Sequence, residues 1–496
     1  MRYDYVVIGA GVSGITTALI LAKSGFDVAL VEKSPRIAPL IRGFSRHGVY
    51  FDTGFHYTGS FGDGEILDLF FRYLGLDDQL EKTPYDPQGF DLIRNLEAGF
   101  EFWFPYGYHR IRQRLHATFP AEKDAVDTYL QAVEATYHAF PYISLNTDAF
   151  SVAMPSGIHG PSLQQFLDRL TDNRLLKWVL SIHCLLHGVP PEEIPFTNHA
   201  CIVGPYFESV HGIQGGGGSL VRALDGQLAK LGVAVYCGTG VREIRFAADR
   251  TLTGVYLEEG KNLDCRGCVS TVHPRELLNL VPESLFRPVY RKRLERLEET
   301  SSAHILYARC DSSLDRMARA NVLISPHLDL TGLGADQALQ HRPVYLTAAR
   351  SKKARSFKAG LIAICPASIA QMSRWAHSVN GKRPADYVIF KENMGTQLGR
   401  YIETACPEVA GKIDWADCAT PLTLRDFSHS PFGSLYGVKH KVGQHNPLPL
   451  TKAPGLFLAG QAIVAPGILG AVVSAFLVCG IIIGHCRLLK ALRKYR

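Results

Sequence analysis

Three glycines near the start of the chain have the spacing G-x-G-x-x-G: Gly9, Gly11 and Gly14. They directly follow the apolar run YVVI, which is typical of a parallel strand buried on both faces. Next come apolar side chains at helical spacing in ITTALILAKSG, and then a second apolar run, FDVALVE. In such a unit Gly9 permits a tight turn, Gly11 lets backbone amides approach a pyrophosphate, and Gly14 lets the helix pack closely on the strand. The spacing therefore predicts a dinucleotide site at the N-terminus of the helix.

An acidic residue ends the second apolar run. Glu32 lies eighteen residues after Gly14, where a carboxylate accepts hydrogen bonds from the ribose of a dinucleotide. A carboxylate there disfavours a 2′-phosphate, so the expected ligand is FAD or NAD rather than NADP. We add the next residue, Lys33, to the cofactor-binding candidates. The glycines at 215–218 lack the same preceding strand and turn, and we expect Ser219 to cap a helix there, so a second dinucleotide domain is not predicted.

The composition is that of a large globular chain with a basic C-terminus. Its 496 residues are 46% hydrophobic, enough for buried cores in two or three domains. The formal charge is +7, and five basic residues fall in the last ten positions: Arg487, Lys490, Arg493, Lys494 and Arg496. Such a tail can bind an anionic membrane surface at about 1 kcal/mol per basic residue, whereas nucleic acid needs a broader basic face or a known module, which the sequence lacks. A second basic cluster at 349–358 is expected to be a solvated loop or a membrane-facing patch.

Cysteine and histidine usage predicts a reducing compartment and no metal site. Eleven cysteines lack framework spacing, and the N-terminus has no basic region followed by an apolar signal core, so we expect a cytoplasmic protein. Cys265 and Cys268 form a CxxC without a second pair, and we assign them to a buried strand. His183 and His187 are one helical turn apart but lack the glutamate of a zinc protease motif, so we interpret both as core residues.

Residues 460–484 contain no charged side chain and are long enough to span a bilayer, since ~20 apolar residues suffice. Pro466, Gly467 and Gly470 interrupt this run early and leave a helix of roughly 15 residues, which is marginal for that purpose. We therefore expect a buried helix rather than a membrane span.

Six longer motifs follow one another along the chain. They are FDTGFHYTGS at 51–60, HGIQGGGGSLVRAL at 211–224, VREIRF at 241–246, VSTVHPRELL at 269–278, ATPLTLRDF at 419–427 and GLFLAGQAIVAPGILGAVVSA at 455–475. In this order they resemble the FAD-dependent phytoene desaturase, carotenoid isomerase and retinol saturase superfamily, and the first and last motifs are most similar to its retinol saturase branch. The resemblance implies FAD as the cofactor, and a C-terminal strand and buried helix that return to the glycine turn.

The resemblance also implies further cofactor contacts. They are Ser13 at the pyrophosphate, Arg42 and Gly43 after the ribose acid, Val241 at the adenine, and Gly460, Gln461, Gly467 and Ile468 at the ribityl and ring end. Arg42 and Gly43 stand in PRIAPLIRG, which departs from the family's usual glycine pair with arginine. Ala462 replaces an acid that often bonds the ribityl chain, which removes that one contact.

Four residues are candidates for acid or base chemistry. The resemblance brings His56 and Tyr57 near the flavin ring, and Glu208 and His211 stand just before the glycine run. Histidine suits this role because it can donate or accept a proton near neutral pH. His56 could instead order the FDTG turn, and Glu208 and His211 could be structural.

The flavin motifs lie in three separated blocks, 1–75, 205–285 and 415–496, which predicts a discontinuous nucleotide domain. The blocks between them, 76–204 and 286–414, are expected to build the substrate-binding domain. Helical spacing dominates the first of these, while strands such as SAHILYARC and a long helix mark the second. The expected fold class is α/β, with a discontinuous Rossmann-type FAD-binding domain and an inserted α+β substrate domain.

These observations predict an FAD-dependent oxidoreductase acting on C=C bonds of a hydrophobic polyene or isoprenoid-like lipid, by saturation, desaturation or isomerisation. The flavin supplies the redox chemistry, so few catalytic side chains are needed. We expect a lipid substrate, an unidentified electron donor or acceptor, and docking of the basic tail on an anionic membrane surface. The alternatives are a flavin amine or protoporphyrinogen-type oxidase, and a prenyl-binding escort protein of the GDP-dissociation-inhibitor type without flavin.

Overall fold

The structure is a computed structural model that describes residues 1–145, 160–312, 314–349 and 359–496. These residues form nineteen strands and fifteen α-helices. The strands are β1 Arg2–Ile8, β2 Val28–Glu32, β3 Phe44–Arg46, β4 Val49–Phe51, β5 Thr58–Gly59, β6 Lys82–Pro84, β7 Asp91–Asn95, β8 Phe100–Phe104, β9 Val210–Ile213, β10 Ala234–Cys237, β11 Val241–Phe246, β12 Leu252–Leu257, β13 Asn262–Ser270, β14 Ser302–Cys310, β15 Asn321–Ser325, β16 Val344–Ala349, β17 Ala359–Ala367, β18 Ile413–Ala419 and β19 Leu456–Leu458. The helices are α1 Val12–Lys23, α2 Ile66–Leu74, α3 Tyr108–Thr118, α4 Lys123–His138, α5 Pro141–Ser144, α6 Leu163–Asp168, α7 Arg174–Ser181, α8 Phe196–Glu208, α9 Gly216–Lys230, α10 Pro274–Leu280, α11 Pro288–Glu295, α12 Ala385–Ala405, α13 Pro421–Ser428, α14 Gly467–Ile483 and α15 His485–Leu492.

The first sheet has seven strands and carries the glycine turn. Its order is β10-β2-β1-β13-β12-β11, with β19 paired to β13. The strands β10, β2, β1, β13 and β19 run parallel, whereas β12 pairs antiparallel with both β13 and β11. β1 lies inside the sheet because both of its faces are apolar, and Val6 and Val7 are completely buried. The predicted placement of Cys265 and Cys268 on a buried strand is confirmed, since both lie on β13.

The second sheet also has seven strands, in the order β18-β14-β17-β16-β15-β7-β8. Its pairs are antiparallel except for β7 and β15, which run parallel. Strands from both inserted blocks therefore share one sheet. β18 crosses the predicted boundary at residue 414 and pairs with β14, so the last block begins inside this second sheet.

Helix α14 is the apolar segment near the end of the chain, and it packs against α1 inside the protein. Phe476, near its middle, is fully buried and stacks on Phe70 of α2 with ring centroids 4.4 Å apart. Residues 472–480 of this helix are all buried. In the part of the chain that the structure describes, no helix has the length and apolarity needed to cross a bilayer.

One local prediction is wrong, and another falls almost entirely outside the described residues. Ser219 was expected to cap a helix, but α9 begins at Gly216, and the Ser219 hydroxyl donates to the carbonyl of Gln214. The carboxylate of Asp52, in the FDTG motif, instead accepts a hydrogen bond of 2.7 Å from the Gly217 amide. The expectation for the basic cluster lies outside the described residues, apart from Ala349 at the end of β16.

Candidate functional site

In the glycine turn between β1 and α1, neighbouring atoms leave no room for a side chain at two of the glycines but leave open space at the third. Gly9 has φ +95°, and a Cβ there would lie 2.6 Å from the Thr271 hydroxyl oxygen. A Cβ on Gly14 would lie 1.8 Å from the carbonyl oxygen of Gly9, which fixes α1 closely against the turn. A Cβ on Gly11 would meet no atom within 4 Å. The chain therefore leaves space at Gly11, the position where a pyrophosphate needs a close approach.

A buried hydroxyl in the first turn of α1 supports the same assignment. Ser13 is 5% exposed, and its hydroxyl has no hydrogen-bond partner within the described residues. A buried polar group without a partner is costly unless a ligand or water satisfies it. The open glycine position and this hydroxyl together fit the pyrophosphate of FAD at the helix N-terminus.

Glu32 links the end of β2 to the glycine turn. One carboxylate oxygen accepts from the Ala10 amide and the other from the Ser34 amide, each at 2.7 Å. Every carboxylate oxygen has a second lone pair, so Glu32 can still accept from ribose hydroxyls. The Thr239 amide donates to the Glu32 carbonyl at 3.3 Å, just before Val241, which is buried at the start of β11. Lys33 is exposed.

Arg42 and Gly43 lie on a loop that returns to the glycine turn. The Ala38 amide in this loop donates to the Ala10 carbonyl at 2.7 Å. The Arg42 guanidinium donates to the carbonyl oxygens of Arg36 and Ile37 at 3.1 and 3.2 Å. Gly43 packs against Tyr50, whose hydroxyl oxygen would be 2.3 Å from a Cβ on that glycine. Both residues thus stand beside the turn, with Arg42 bonded to its own loop.

The C-terminal glycine turn reaches the same place through Thr271. The Thr271 hydroxyl donates to the carbonyl oxygens of Ile8 and Gly9, at 2.9 and 3.1 Å. A Cβ on Gly460 would lie 3.6 Å from the Thr271 carbonyl oxygen. The Gly460 amide in turn donates to the hydroxyl of Ser474 on α14 at 2.8 Å. The front and rear glycine turns therefore flank one threonine.

A cavity of about 210 Å³ begins at the start of α14. Gly467 and Ile468 line it, together with apolar residues of the 463–473 segment and of α8. Tyr137 and Tyr206 lie in its wall, as do Thr58 and Gly59 of β5. Gln461 borders it through its carbonyl oxygen, which accepts a 2.8 Å hydrogen bond from the cavity-lining His440. Of the predicted ring-end residues, Gly467 and Ile468 thus line the cavity and Gln461 borders it.

The candidates His56 and Tyr57 belong to an aromatic cluster. Tyr57 is 8% exposed and stacks on Tyr345 with centroids 6.1 Å apart and an interplanar angle of 11°. The His56 ring also packs near Tyr345, with ring centroids 6.1 Å apart. The Tyr57 hydroxyl has no hydrogen-bond partner within the described ranges, and burial raises the pKa of Tyr57 well above its usual value. Tyr57 packs against Tyr206, which lines the cavity, with ring centroids 5.2 Å apart.

The candidates Glu208 and His211 have different surroundings. His211 is on β9, where it lies near Ser209 and Phe61, and burial with the charge of Lys82 lowers its pKa. It is not among the residues that line the cavity. Glu208 ends α8, and its carboxylate is within 3.4 Å of the hydroxyl of the cavity-lining Tyr137. Burial raises the pKa of Glu208 despite a hydrogen bond from a serine.

Three potential metal ligands, Cys184, His187 and His199, come within 4.8 Å of one another in the interior. The Val189 amide donates to His187 Nδ1 at 3.3 Å, so His187 Nε2 carries the proton and donates to His199 Nδ1 at 3.2 Å. The facing nitrogens are therefore used in a hydrogen-bond chain that continues to Tyr129. Burial lowers the pKa of His187 to about 3, which keeps this ring neutral. We interpret the group as a polar chain in the core rather than an open ligand set.

Sequence reasoning missed several contributors to this site. Thr271 and Ser474 were inside quoted motifs, but their types gave no reason to select them. Tyr137 lies in a helix whose spacing indicated only an amphipathic element. Asp52 lies in the quoted FDTG motif, but its contact with the start of α9 joins segments 165 positions apart, so the motif alone does not indicate it.

The comparisons with known proteins agree with this geometry. Residues 12–320, more than half of the chain, match the family described as flavin containing amine oxidoreductase. The chain is 24% identical over 530 residues to the human all-trans-retinol 13,14-reductase, covering 96% of this chain and 85% of that protein. It is 24% identical over 341 residues to the 4,4'-diaponeurosporene oxygenase of Staphylococcus haemolyticus, covering 64% of this chain and 65% of the other.

A solved structure shows the same fold. An oxidoreductase from Methanosarcina mazei superposes with a TM-score of 0.64 at 14% identity, over 97% of this chain and 100% of that one. The predicted fold class and the resemblance to the carotenoid and retinol superfamily are thus confirmed. The chain belongs to the flavin-containing amine oxidoreductase family, and it is an FAD-dependent oxidoreductase.

Proposed function

We propose that the protein reduces a C=C bond of a hydrophobic polyene or isoprenoid-type lipid. The observation that carries this proposal is the largely apolar cavity that starts at Gly467 and Ile468, the ring end of the predicted FAD site. The similarity to retinol reductases over 96% of the chain supports reduction as the direction. A polyene would bury its apolar surface there at roughly 25 cal/mol per Å².

The bound FAD would supply the hydride, and the chain's residues supply the environment. Gly11, Ser13 and Glu32 would hold the pyrophosphate and ribose end. The apolar cavity wall keeps water from the reacting carbon, which prevents loss of hydride equivalents to solvent. Tyr206 offers a flat face that would orient a conjugated chain.

The lining of the cavity suits an amine substrate less well than a polyene. Within the described part of the chain, no aspartate or glutamate lines it. The one Lys or Arg in the lining, Lys441, is paired with Glu298 at 2.7 Å. A protonated amine would be left there without a carboxylate partner, at a large desolvation cost. An escort protein that works without flavin does not fit a chain whose cofactor is FAD.

The test is turnover of lipid polyenes by the purified, FAD-loaded protein under a chemical reductant, followed by mass spectrometry. A mass gain of two hydrogens is expected. A loss of two hydrogens, or a change in retention at constant mass, would replace reduction by desaturation or isomerisation. Oxidation of amines without any polyene product would replace the proposal with the amine oxidase alternative.

A pair of variants on α4 tests the cavity. Thr136 lines it, whereas Thr128 is on the exposed face of the same helix. We expect Thr136→Trp to abolish polyene turnover while FAD content stays at the parent level. Thr128→Trp introduces the same side chain and should turn over normally. Equal turnover by both variants would show that the substrate binds elsewhere.

We also propose that the basic tail holds the protein at an anionic membrane surface. In α15 the leucines Leu488, Leu489 and Leu492 are buried, so the basic residues face outward and attract lipid by charge rather than insertion. Arg493 donates to the Leu145 carbonyl, which directly follows α5. α5 contributes Ile143 to the cavity wall, so tail and cavity are neighbours.

Vesicle binding tests this part. The variant Arg487→Gln/Lys490→Gln/Lys494→Gln removes three charges, worth about 3 kcal/mol or about 10²-fold in partitioning. The matched control Arg287→Gln/Lys292→Gln/Arg296→Gln removes three exposed charges at and around α11. We expect only the tail variant to lose binding to vesicles containing phosphatidylserine. Equal losses would indicate general charge attraction and would contradict a specific role of the tail.

A further inference from the structure

Reduction of a C=C bond needs a proton as well as a hydride. The cavity wall is largely apolar, so the proton has to cross from solvent through groups that the chain provides. Tyr137 is one of the hydroxyl-bearing residues in that wall, and it is 1% exposed. It is therefore a candidate for the inner end of such a path.

Hydrogen bonds connect Tyr137 to the surface. Its hydroxyl is 2.8 Å from the hydroxyl of Ser60, which donates to a Glu208 carboxylate oxygen at 2.5 Å. The other Glu208 oxygen is 3.2 Å from Nε2 of His138. Ser60 is fully buried, the Glu208 side chain is 22% exposed, and the His138 side chain is 46% exposed. Exposure thus rises stepwise from the cavity to solvent.

The fold brings these four residues together from three elements. Ser60 directly follows Thr58 and Gly59, which both line the cavity, so its hydroxyl stands behind the wall. Tyr137 and His138 end α4, and Glu208 ends α8. The two helices pack side by side. Adjacent residues of one helix therefore hold the two ends of the path.

We propose that Tyr137 is the proton donor to the substrate, and that Ser60, Glu208 and His138 relay protons to it from solvent. This inference rests on the proposed function. When bound, reduced FAD, recharged by an external two-electron reductant, would supply the hydride with its electron pair to one carbon. The Tyr137 hydroxyl gives its proton to the other carbon, so the C=C π bond is lost. Tyr137 regains a proton from Ser60, Ser60 from the Glu208 carboxyl group, and Glu208 from His138 or water.

The electrostatics around Glu208 suit a carboxyl group that changes protonation. Burial raises its pKa, and the carboxylate of Glu65 raises it further, whereas the Ser60 hydrogen bond and His138 lower it. The Tyr137 hydrogen bond also lowers it. Tyr108 is a further titratable neighbour, since Glu208 raises the pKa of Tyr108. The protonated form that donates is thereby populated at higher pH than for an exposed glutamate.

Two variants and a control separate this relay from simple packing. Tyr137→Phe removes only the hydroxyl, and we expect turnover to fall by about 10²-fold or more with parent FAD content. Glu208→Gln keeps the size of the side chain, and its remaining rate should lose the decline with rising pH that the parent shows. Thr197→Val removes another hydroxyl from the same wall and should keep the parent's pH profile and solvent deuterium isotope effect. Parent-like pH and isotope profiles in Tyr137→Phe would overturn the proposal.

An infrared measurement tests the relay without substrate, so its result is independent of the proposed function. The parent should show a protonated carboxyl band that titrates, that is missing in Glu208→Gln and that shifts in Tyr137→Phe. No such band, or a band that Tyr137→Phe leaves unchanged, would overturn the relay even if the protein reduces polyenes. The band without polyene turnover would leave the relay supported and refute the proposed reaction.

Discussion

The open space at Gly11 gives a sharp prediction for the substitution Gly11→Ala. Gly11 has φ −72° and ψ 178°, a conformation that alanine adopts without strain. A Cβ there would contact no atom of the chain within 4 Å. The apo protein should therefore be unharmed, and even gain about 0.4–1 kcal/mol because alanine restricts the unfolded chain.

The effect on cofactor binding should be large. If the pyrophosphate of FAD approaches this backbone, the added methyl group overpacks the contact at a cost of about 1–3 kcal/mol. Because about 1.4 kcal/mol corresponds to a tenfold change in Kd, the Kd for FAD should rise about 5- to 150-fold. The substitution should thus raise the stability of the apo protein while it lowers the affinity for FAD.

Two further glycines make the comparison specific. A Cβ on Gly14 would lie 1.8 Å from a backbone oxygen that cannot move freely, so Gly14→Ala should lose both apo stability and FAD binding. Gly399 also has open space, but it lies on α12, beside the second sheet. Gly399→Ala should gain stability with an unchanged Kd.

The assay is titration of apo protein with FAD by calorimetry, combined with urea unfolding of each apo variant. Gly11→Ala with the parent's Kd would refute the placement of the pyrophosphate at this turn. A loss of apo stability in Gly11→Ala would instead refute the open geometry described here.

Other predictions concern the interior of the protein. Because the pKa of Glu208 is raised, the native state holds more protons than the unfolded state above the usual carboxyl range, so stability should fall as pH rises through this interval. Urea unfolding across mildly acidic to neutral pH should show a smaller fall for Glu208→Gln, and an equal fall would contradict the raised pKa. Because His187 donates to its neighbour, elemental analysis should find far less than one equivalent of zinc, and stoichiometric zinc that disappears in Cys184→Ala would contradict the hydrogen-bond chain. Phe476→Ala should lower the free energy of unfolding by about 3–5 kcal/mol, and a loss below 1 kcal/mol would argue against a packed interior helix.

Local spacing was enough to predict the cofactor end of the fold. Gly9, Gly14 and Glu32 fall within one βαβ unit, so their relative positions follow from the lengths of two strands and a helix. The burial of α14 was also predictable, because Pro466 shortens the apolar run below the length of a membrane span.

The polar contacts between distant segments were not predictable in this way. Ser60, Tyr137 and Glu208 meet across more than seventy positions of sequence. Glu208 was a candidate by residue type and position, but nothing in the sequence paired it with Ser60 or Tyr137. The Ser219 prediction failed for a related reason: Asp52 reaches the helix start from another part of the chain. Local sequence signals describe elements, whereas these contacts depend on how the elements pack.

The interleaving of the two sheets affects how the chain can be made. The first sheet, which contains β1, is not complete until β13 and then β19 have been synthesised. In the second sheet, β7 cannot form its parallel pair until β15 has been synthesised. Such non-local pairing slows folding and leaves unpaired strand edges on the nascent polypeptide. Neither sheet can therefore form from one continuous stretch of the chain, and the first sheet is complete only once β19 has been made.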